Sequence, residues 1–327
     1  MPNADLAARV EGFRKDYGRL RAELTKIVVG QEEGVDGALA ALFGGGHALL
    51  EGLPGTGKTL IVKVLAAAID GQFRRVQFTP DLMPADVIGT YVVLEQHGRR
   101  RFEFQQGPIF ANILLADEIN RATPKTQSGL LEAMEEGVVT VANETYPLPK
   151  PFCALATQSP NAAEGTFPLP ETQLDRFLFK LRLTLPDENQ CDAILAQSTA
   201  AERPTVAKVL AADRIVEMQQ VVREIEVGSD LRKLAASYIA RTQPSDQASS
   251  AVKSFVRQGA SLRGAQAMLV GAKVRAAAAG RSAATKDDLN AWALPALRHR
   301  LVLSFDAHAL GRDADAVVRE ILGTSKA

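Results

Sequence analysis

Apolar residues fall along this chain in two rhythms, and the change between them divides it. Leu6, Val10, Phe13, Tyr17, Leu20, Leu24 and Ile27 recur at alternating steps of four and three, the spacing of one face of an amphipathic helix. Three heptads do not require a coiled coil, so this helix, within 1–28, is expected to pack on its own domain or a neighbouring subunit. After the turn Val29-Gly30-Gln31, apolar runs at Ala48–Glu51, Arg75–Thr79, Ile113–Asp117, Phe152–Thr157 and Phe177–Leu183 alternate with helical patterns. That alternation predicts an α/β core over 29–186, with a parallel sheet covered on both faces. Two stretches depart from it. Tyr91–Leu94, polar Glu95–Arg100 and Phe102–Phe104 read as an inserted β-hairpin, and Val138–Val141 with Tyr146–Leu148 read as a second one. Beyond Pro186-Asp187 no strand pattern persists. Leu231, Leu234, Ala235, Tyr238 and Ile239 share a helical face, Gln243–Ser250 is a polar loop, and Thr285-x-x-Asp288 resembles a capping box before Trp292. The residues 187–327 are therefore expected to form a small all-helical domain.

Chemistry enters where the first core strand ends. Gly52-Leu53-Pro54-Gly55-Thr56-Gly57-Lys58-Thr59 stands between a buried strand pattern and a helical one that begins at Leu60. Glycines let the backbone wrap with its N–H groups turned inward, and the helix N-terminus adds its positive dipole end, so the segment reads as a phosphate-binding loop. Lys58 then reaches the β- and γ-phosphates of ATP, and the Thr59 hydroxyl ligates Mg²⁺. The Ile113–Asp117 strand delivers Asp117 and Glu118 to the same edge of the sheet, because open α/β sheets bind ligands at the carboxyl ends of their strands. Asp117 is the candidate for the Mg²⁺ shell and Glu118 for orienting and deprotonating the attacking water. Gln31 joins Gly52, Pro54, Gly55, Thr56, Gly57, Lys58, Thr59, Leu60 and Asp117 as a candidate nucleotide contact.

Composition narrows the class. The 327 residues exceed one typical core. Lysine plus arginine and aspartate plus glutamate both number 38, which weighs against nucleic acid as the partner. Cys153 and Cys191 lack zinc-site spacing, and His47, His97, His299 and His308 are scattered. The reading is of reduced thiols in a cytoplasmic protein. No apolar run reaches about 18 residues and no signal-peptide pattern opens the chain, so no membrane insertion is expected. The Arg99-Arg100-Arg101 hairpin tip is either a solvated turn or a contact surface for a partner.

Four further stretches carry a family resemblance: Phe78–Asp86, Gly107–Gln127, Leu130–Glu135 and Gly165–Phe177. With the phosphate loop, they make the chain from Val29 to Arg300 similar to the MoxR family of AAA+ ATPases. The resemblance implies an AAA+ core carrying a helix-2 insert and a pre-sensor hairpin, a helical lid, and assembly into a homo-oligomeric ring, usually a hexamer. It implies a chaperone-like role in maturing protein complexes, with von Willebrand factor A domain proteins as partners. On residues, it makes Arg176 the arginine finger that meets a neighbour's γ-phosphate and Arg263 the sensor-2 arginine, with Leu262 where the family commonly has proline. Ser159 stands where the family has the sensor-1 asparagine, and Gln158 or Asn161 are the residues that could compensate. Three alternatives stay open: a nucleic-acid motor, a magnesium-chelatase-like metal-insertion motor, and a slow nucleotide-gated scaffold. The ATPase response to DNA, neighbouring genes and steady-state phosphate release discriminate them.

Overall fold

The computed structural model describes residues 2–96, 99–160, 165–202 and 204–323. Five core strands run parallel: β1 (Ala48–Gly52), β2 (Phe73–Gln77), β3 (Ile113–Asp117), β4 (Cys153–Gln158) and β5 (Phe179–Leu183), in the order β5-β1-β4-β3-β2. Strand side chains alternate between faces, and in β1, β3 and β4 both faces are buried, while the edge strands expose Arg182 of β5 and Arg74, Arg75 and Gln77 of β2. Ala48, Leu50, Leu115, Leu155 and Phe179 join one core cluster, while Leu49, Leu114, Ala116, Ala154 and Ala156 join the other. The continuous apolar runs in the sequence follow from this double cover.

Three expected strands begin elsewhere, β4 by a single residue at Cys153. β2 starts at Phe73, two residues before its expected beginning, and Phe78 has left it to lie fully buried in the second cluster. Phe177 belongs to the turn closing the helix Glu171–Leu174, where its N–H donates to the Leu174 carbonyl, so β5 starts at Phe179. Both hairpins form, pairing Gly89–Gln96 with Arg99–Gln106 and Val138–Val141 with Glu144–Pro147. The first runs further than its apolar residues suggest, because Glu95 and Arg100 continue the ladder on an exposed ribbon that needs no buried face. His97 and Gly98 lie outside the described residues.

The first helix spans Pro2–Thr25 and packs on its own chain. Val10, Phe13, Leu20 and Leu24 are buried, and the Phe13 ring meets Phe43 edge-on at 5.2 Å. Burying each such side chain stabilises by about 1.5–3 kcal/mol. The helix touches Glu32–Gly44 and Lys58–Ala68 on the sheet side, and Ala212–Glu224 and Leu262–Ala278 on the C-terminal side. The C-terminal helices share the first cluster rather than enclosing one of their own, and Trp292 packs on Phe179 at 4.6 Å. Their region is not strand-free, which corrects the expectation. Leu210–Ala211 pairs with Ile69–Asp70, and Val256–Gln258 pairs with Val302–Leu303. Thr285 and Asp288 form the expected reciprocal cap, in which the Asp288 carboxylate also holds Arg281 at 2.7 Å.

Candidate nucleotide site and its distant arginines

The loop after β1 has the backbone its glycines permit. Gly55 and Gly57 sit at φ +85° and +89°, a region closed to most side chains. A Cβ on Gly52 would come within 2.8 Å of the Leu183 carbonyl oxygen. Thr56 is buried and its hydroxyl donates to the Leu53 carbonyl at 2.9 Å, which closes the turn. Leu53, Pro54, Gly55 and Leu60 are exposed at the mouth. Lys58 turns back on the loop, its Nζ donating to the carbonyls of Gly52 and of Leu53 (2.9 Å for the latter). Burial holds its pKa below the ordinary lysine value, opposed by the charges of Asp117, Glu118 and Glu51.

Asp117 is almost fully buried, and both its oxygens are engaged. Oδ1 accepts from the hydroxyls of Thr157 (2.7 Å) and Thr59 (3.2 Å), and Oδ2 accepts from Arg75 Nη2 and Nε (2.8 and 3.0 Å). A carboxylate and a hydroxyl converging from two elements form the hard oxygen set that Mg²⁺ takes, so Thr59 and Asp117 fit the ion. Glu118 adopts φ +57°, ψ +49°, a left-handed conformation that costs a non-glycine residue about 1–3 kcal/mol. Its N–H donates to Thr157 Oγ1 at 2.9 Å, and its carboxylate accepts from Gln77 (3.2 Å) and Arg121 (2.9 Å). Thr157, Arg75, Gln77 and Arg121 were not marked in the sequence. β2 and β4 flank β3, and only strand order brings the first three there.

Gln31 is buried, and its side-chain amide donates to the Thr184 carbonyl at 2.8 Å, tying the turn before the second helix to the end of β5. Beside it, Gly30 sits at φ +71°, and a Cβ there would collide with Gln190 at 2.3 Å. Ser159 is half-buried just past β4. Gln158, the described candidate to compensate, donates its amide to Glu51 at 2.7 Å, and Glu51 also takes Lys180 at 2.8 Å. Asn161 lies outside the described residues.

Arg176 and Arg263 are brought together, but not to this loop. Both pair with Glu135, Arg176 Nε at 3.2 Å and Arg263 through Nη2. They line an open cavity of about 320 Å³ with Asp175, His47 and Arg300. Ala48 pairs with Phe179 and Gly52 with Leu183 in the parallel β1–β5 ladder. Arg176 precedes the ladder and Lys58 follows it, so roughly 13 Å of strand separates the two edges at ~3.3 Å per residue. In this arrangement both arginines engage Glu135 and not the phosphate loop of their own chain. His47 is buried there: Nε2–H donates to the Met134 carbonyl and Nδ1 accepts the Ala154 N–H, both at 3.0 Å. Cys153 and Cys191 are free thiols, and burial pushes Cys153 up to about 12. Among the described residues there is no metal-binding cluster of histidine, cysteine or acidic residues, and no helix is long and apolar enough to cross a membrane.

Comparison with known proteins agrees with this architecture. The sequence model for the "ATPase family associated with various cellular activities (AAA)" matches residues 47–179, and that for the AAA lid domain matches 248–321. The uncharacterised protein YeaC of Bacillus subtilis is 40% identical over 310 residues, covering 94% of each chain. Chaperone MoxR1 of Mycobacterium tuberculosis is 38% identical over 307 residues, covering 92% of this chain and 80% of its own. A crystal structure of a candidate ATPase from Cytophaga hutchinsonii superposes with a TM-score of 0.90 at 35% identity, over 100% of this chain and 99% of that one. With a nucleotide-type loop on a 5-1-4-3-2 sheet, a lid match and full-length relatives of this kind, the chain belongs to the MoxR family of AAA+ ATPases.

Proposed function

We propose that the chain is a ring-forming, Mg²⁺-dependent ATPase that remodels or matures protein complexes, with a von Willebrand factor A domain protein as partner. Its working parts are a nucleotide-binding core over 29–186 and a helical lid over 187–327, with the helix of 1–28 laid across both. The observation that carries the reading is the opposite placement of Lys58, Asp117 and Glu118 at one edge of the sheet and Arg176 and Arg263 at the other. Such a subunit completes its site only by meeting a second copy head to tail, with ATP between them.

In that site the phosphate loop and Lys58 hold the β- and γ-phosphates, with Gln31 on the wall of the nucleotide pocket. Glu118, aimed by Gln77 and Arg121, takes the proton of the attacking water. Thr59 and Asp117 would hold Mg²⁺, which would supply neutralisation of the phosphate charge. Arg176 and Arg263 of the neighbour leave Glu135 and spread charge over the transferring phosphoryl group. The helix-2 hairpin supports client contact, since Val93 and Phe102 face each other across it at 53% and 71% exposure.

A mixing experiment tests this. Arg176→Ala keeps its own pocket and offers no finger, while Glu118→Gln offers a finger and cannot activate water. Each alone loses about 10³-fold in turnover, as fingers do elsewhere, and co-assembly of the two restores part of it. Demonstrated co-assembly with phosphate release at background rejects the shared site. A slow, nucleotide-gated scaffold is the second reading, favoured by Ser159 and by the engagement of Gln158 with Glu51. Steady-state phosphate release by the wild type at the level of Glu118→Gln would select it.

A further inference from the structure

We propose that Arg300 is a positioning residue for Arg176, holding the finger segment through Asp175 and making the C-terminal helices its mount. This rests on the reading that Arg176 serves the neighbouring subunit's site.

Arg300 follows the helix Ala293–Leu297, and its side chain is 2% exposed. A guanidinium carries five N–H groups, and here each has an acceptor. Nε donates to Asp175 Oδ1 at 2.7 Å. Nη2 donates to the main-chain carbonyls of Asp175 (2.9 Å) and Phe177 (2.7 Å). Nη1 donates to the carbonyls of Leu178 (3.1 Å) and Ala296. One rigid planar group therefore grips the main chain immediately before and immediately after Arg176. Two further residues of the helical region hold the same segment. Ser261 Oγ lies 2.8 and 3.0 Å from the two Asp175 oxygens, and His299 Nε2 is 3.1 Å from the Phe177 carbonyl.

Burying an arginine is expensive, and replacement by a well-packed apolar side chain is often neutral for stability. What an apolar residue cannot supply is direction, since its packing does not fix where a neighbouring backbone points. Among the described residues Arg176 has Glu135 as its one side-chain partner, so its guanidinium can swing while its Cα is held. A finger needs that combination: its base must be set to within a fraction of an ångström, because a misplacement of about 1 Å can cost about 10²-fold. Asp175 and Phe177 are gripped by side chains of the helical region, while the Leu178 N–H donates to the His47 carbonyl of the core at 2.9 Å, so displacement of those helices relative to the sheet strains the base of Arg176.

Arg300→Gln is the test, with Asp175→Asn as the milder variant that preserves volume and removes the carboxylate. The expected result is a fall in kcat of about 10²-fold with nucleotide affinity, measured calorimetrically with ADP, unchanged. Co-assembly of Arg300→Gln with Glu118→Gln should return activity, because the latter brings a well-mounted finger to an intact pocket. Co-assembly with Arg176→Ala should not, since neither subunit then offers one. Recovery with Arg176→Ala, or nucleotide affinity falling in step with turnover, overturns the proposal. Should Arg300→Gln not fold, the same two mixtures are made with Asp175→Asn and judged by the same outcomes. If Arg176→Ala and Glu118→Gln fail to complement each other after demonstrated co-assembly, the shared site itself falls. If they succeed while the Arg300→Gln and Glu118→Gln mixture stays inactive, only the positioning role falls.

Discussion

At the scale of single residues, Thr157 shows what motif reading leaves out. Its hydroxyl donates to Asp117 and accepts the Glu118 N–H, so one oxygen joins the metal-type carboxylate to the base. Thr157→Val strands both partners. We expect a loss of about 1–3 kcal/mol in stability and a marked fall in turnover with nucleotide affinity largely kept, measured by thermal melting, phosphate release and calorimetry. Lys58, Thr59, Asp117 and Glu118 were legible as candidates because phosphate chemistry dictates residue types at set places in each of two segments, the loop after one strand and the end of another. Thr157, Arg75 and Gln77 come from flanking strands, and nothing local in the sequence states which strands flank which. His47 gives a pH prediction. Burial pulls its pKa down to about 4, whereas an unfolded histidine titrates near 6.5. Between those values the unfolded chain binds the extra proton. Its contribution is thus whole above about pH 6.5 and is lost as pH falls toward 4, by up to ~1.4 kcal/mol per pH unit. Melting temperature plotted against pH should be flatter over that window for His47→Asn than for the wild type, and parallel curves would remove His47 as a cause.

Elements were legible where one rhythm ran long enough. The first helix repeats its apolar step over three heptads, and the structure buries Leu20 and Leu24 completely. Leu20→Ala should therefore destabilise by about 2–5 kcal/mol, seen as a shift in the denaturation midpoint, and a change within error would mean the helix is dispensable to the fold. The Thr285–Asp288 cap was readable because capping needs donors and acceptors at a set spacing. Strand ends were less legible. Phe78 and Phe177 are apolar and adjoin strands, yet one tucks beneath a loop and the other closes a helical turn. Pairs such as Leu210–Ala211 with Ile69–Asp70 are two residues long, too short for any alternation to register.

For the whole molecule, nothing in the apolar rhythm signals that the C-terminal helices continue the core of the sheet. Apolar helical faces say that something is covered, not what covers them. Here one cluster runs from Phe13 through Phe179 to Val318. Nucleotide should control assembly, because in the proposed shared site Arg176 and Arg263 exchange the internal carboxylate of Glu135 for a neighbour's phosphate only when that neighbour is loaded. Larger species are expected in sedimentation with a non-hydrolysable ATP analogue than without nucleotide, since a ligand held across an interface stabilises it as its concentration exceeds Kd. Identical profiles near the dissociation midpoint would place the complete site within one chain. The separation of the two edges of the sheet also sets how activity is counted. In the proposed shared-site assembly a lone chain has both halves of a site and no whole one, an open stack has one site fewer than its subunits, and only a closed circle has as many sites as subunits. Turnover per chain should therefore climb from zero as concentration is raised, pass half at the dimer, and reach its full value at a finite size only where the circle closes, since an open stack approaches that value without attaining it.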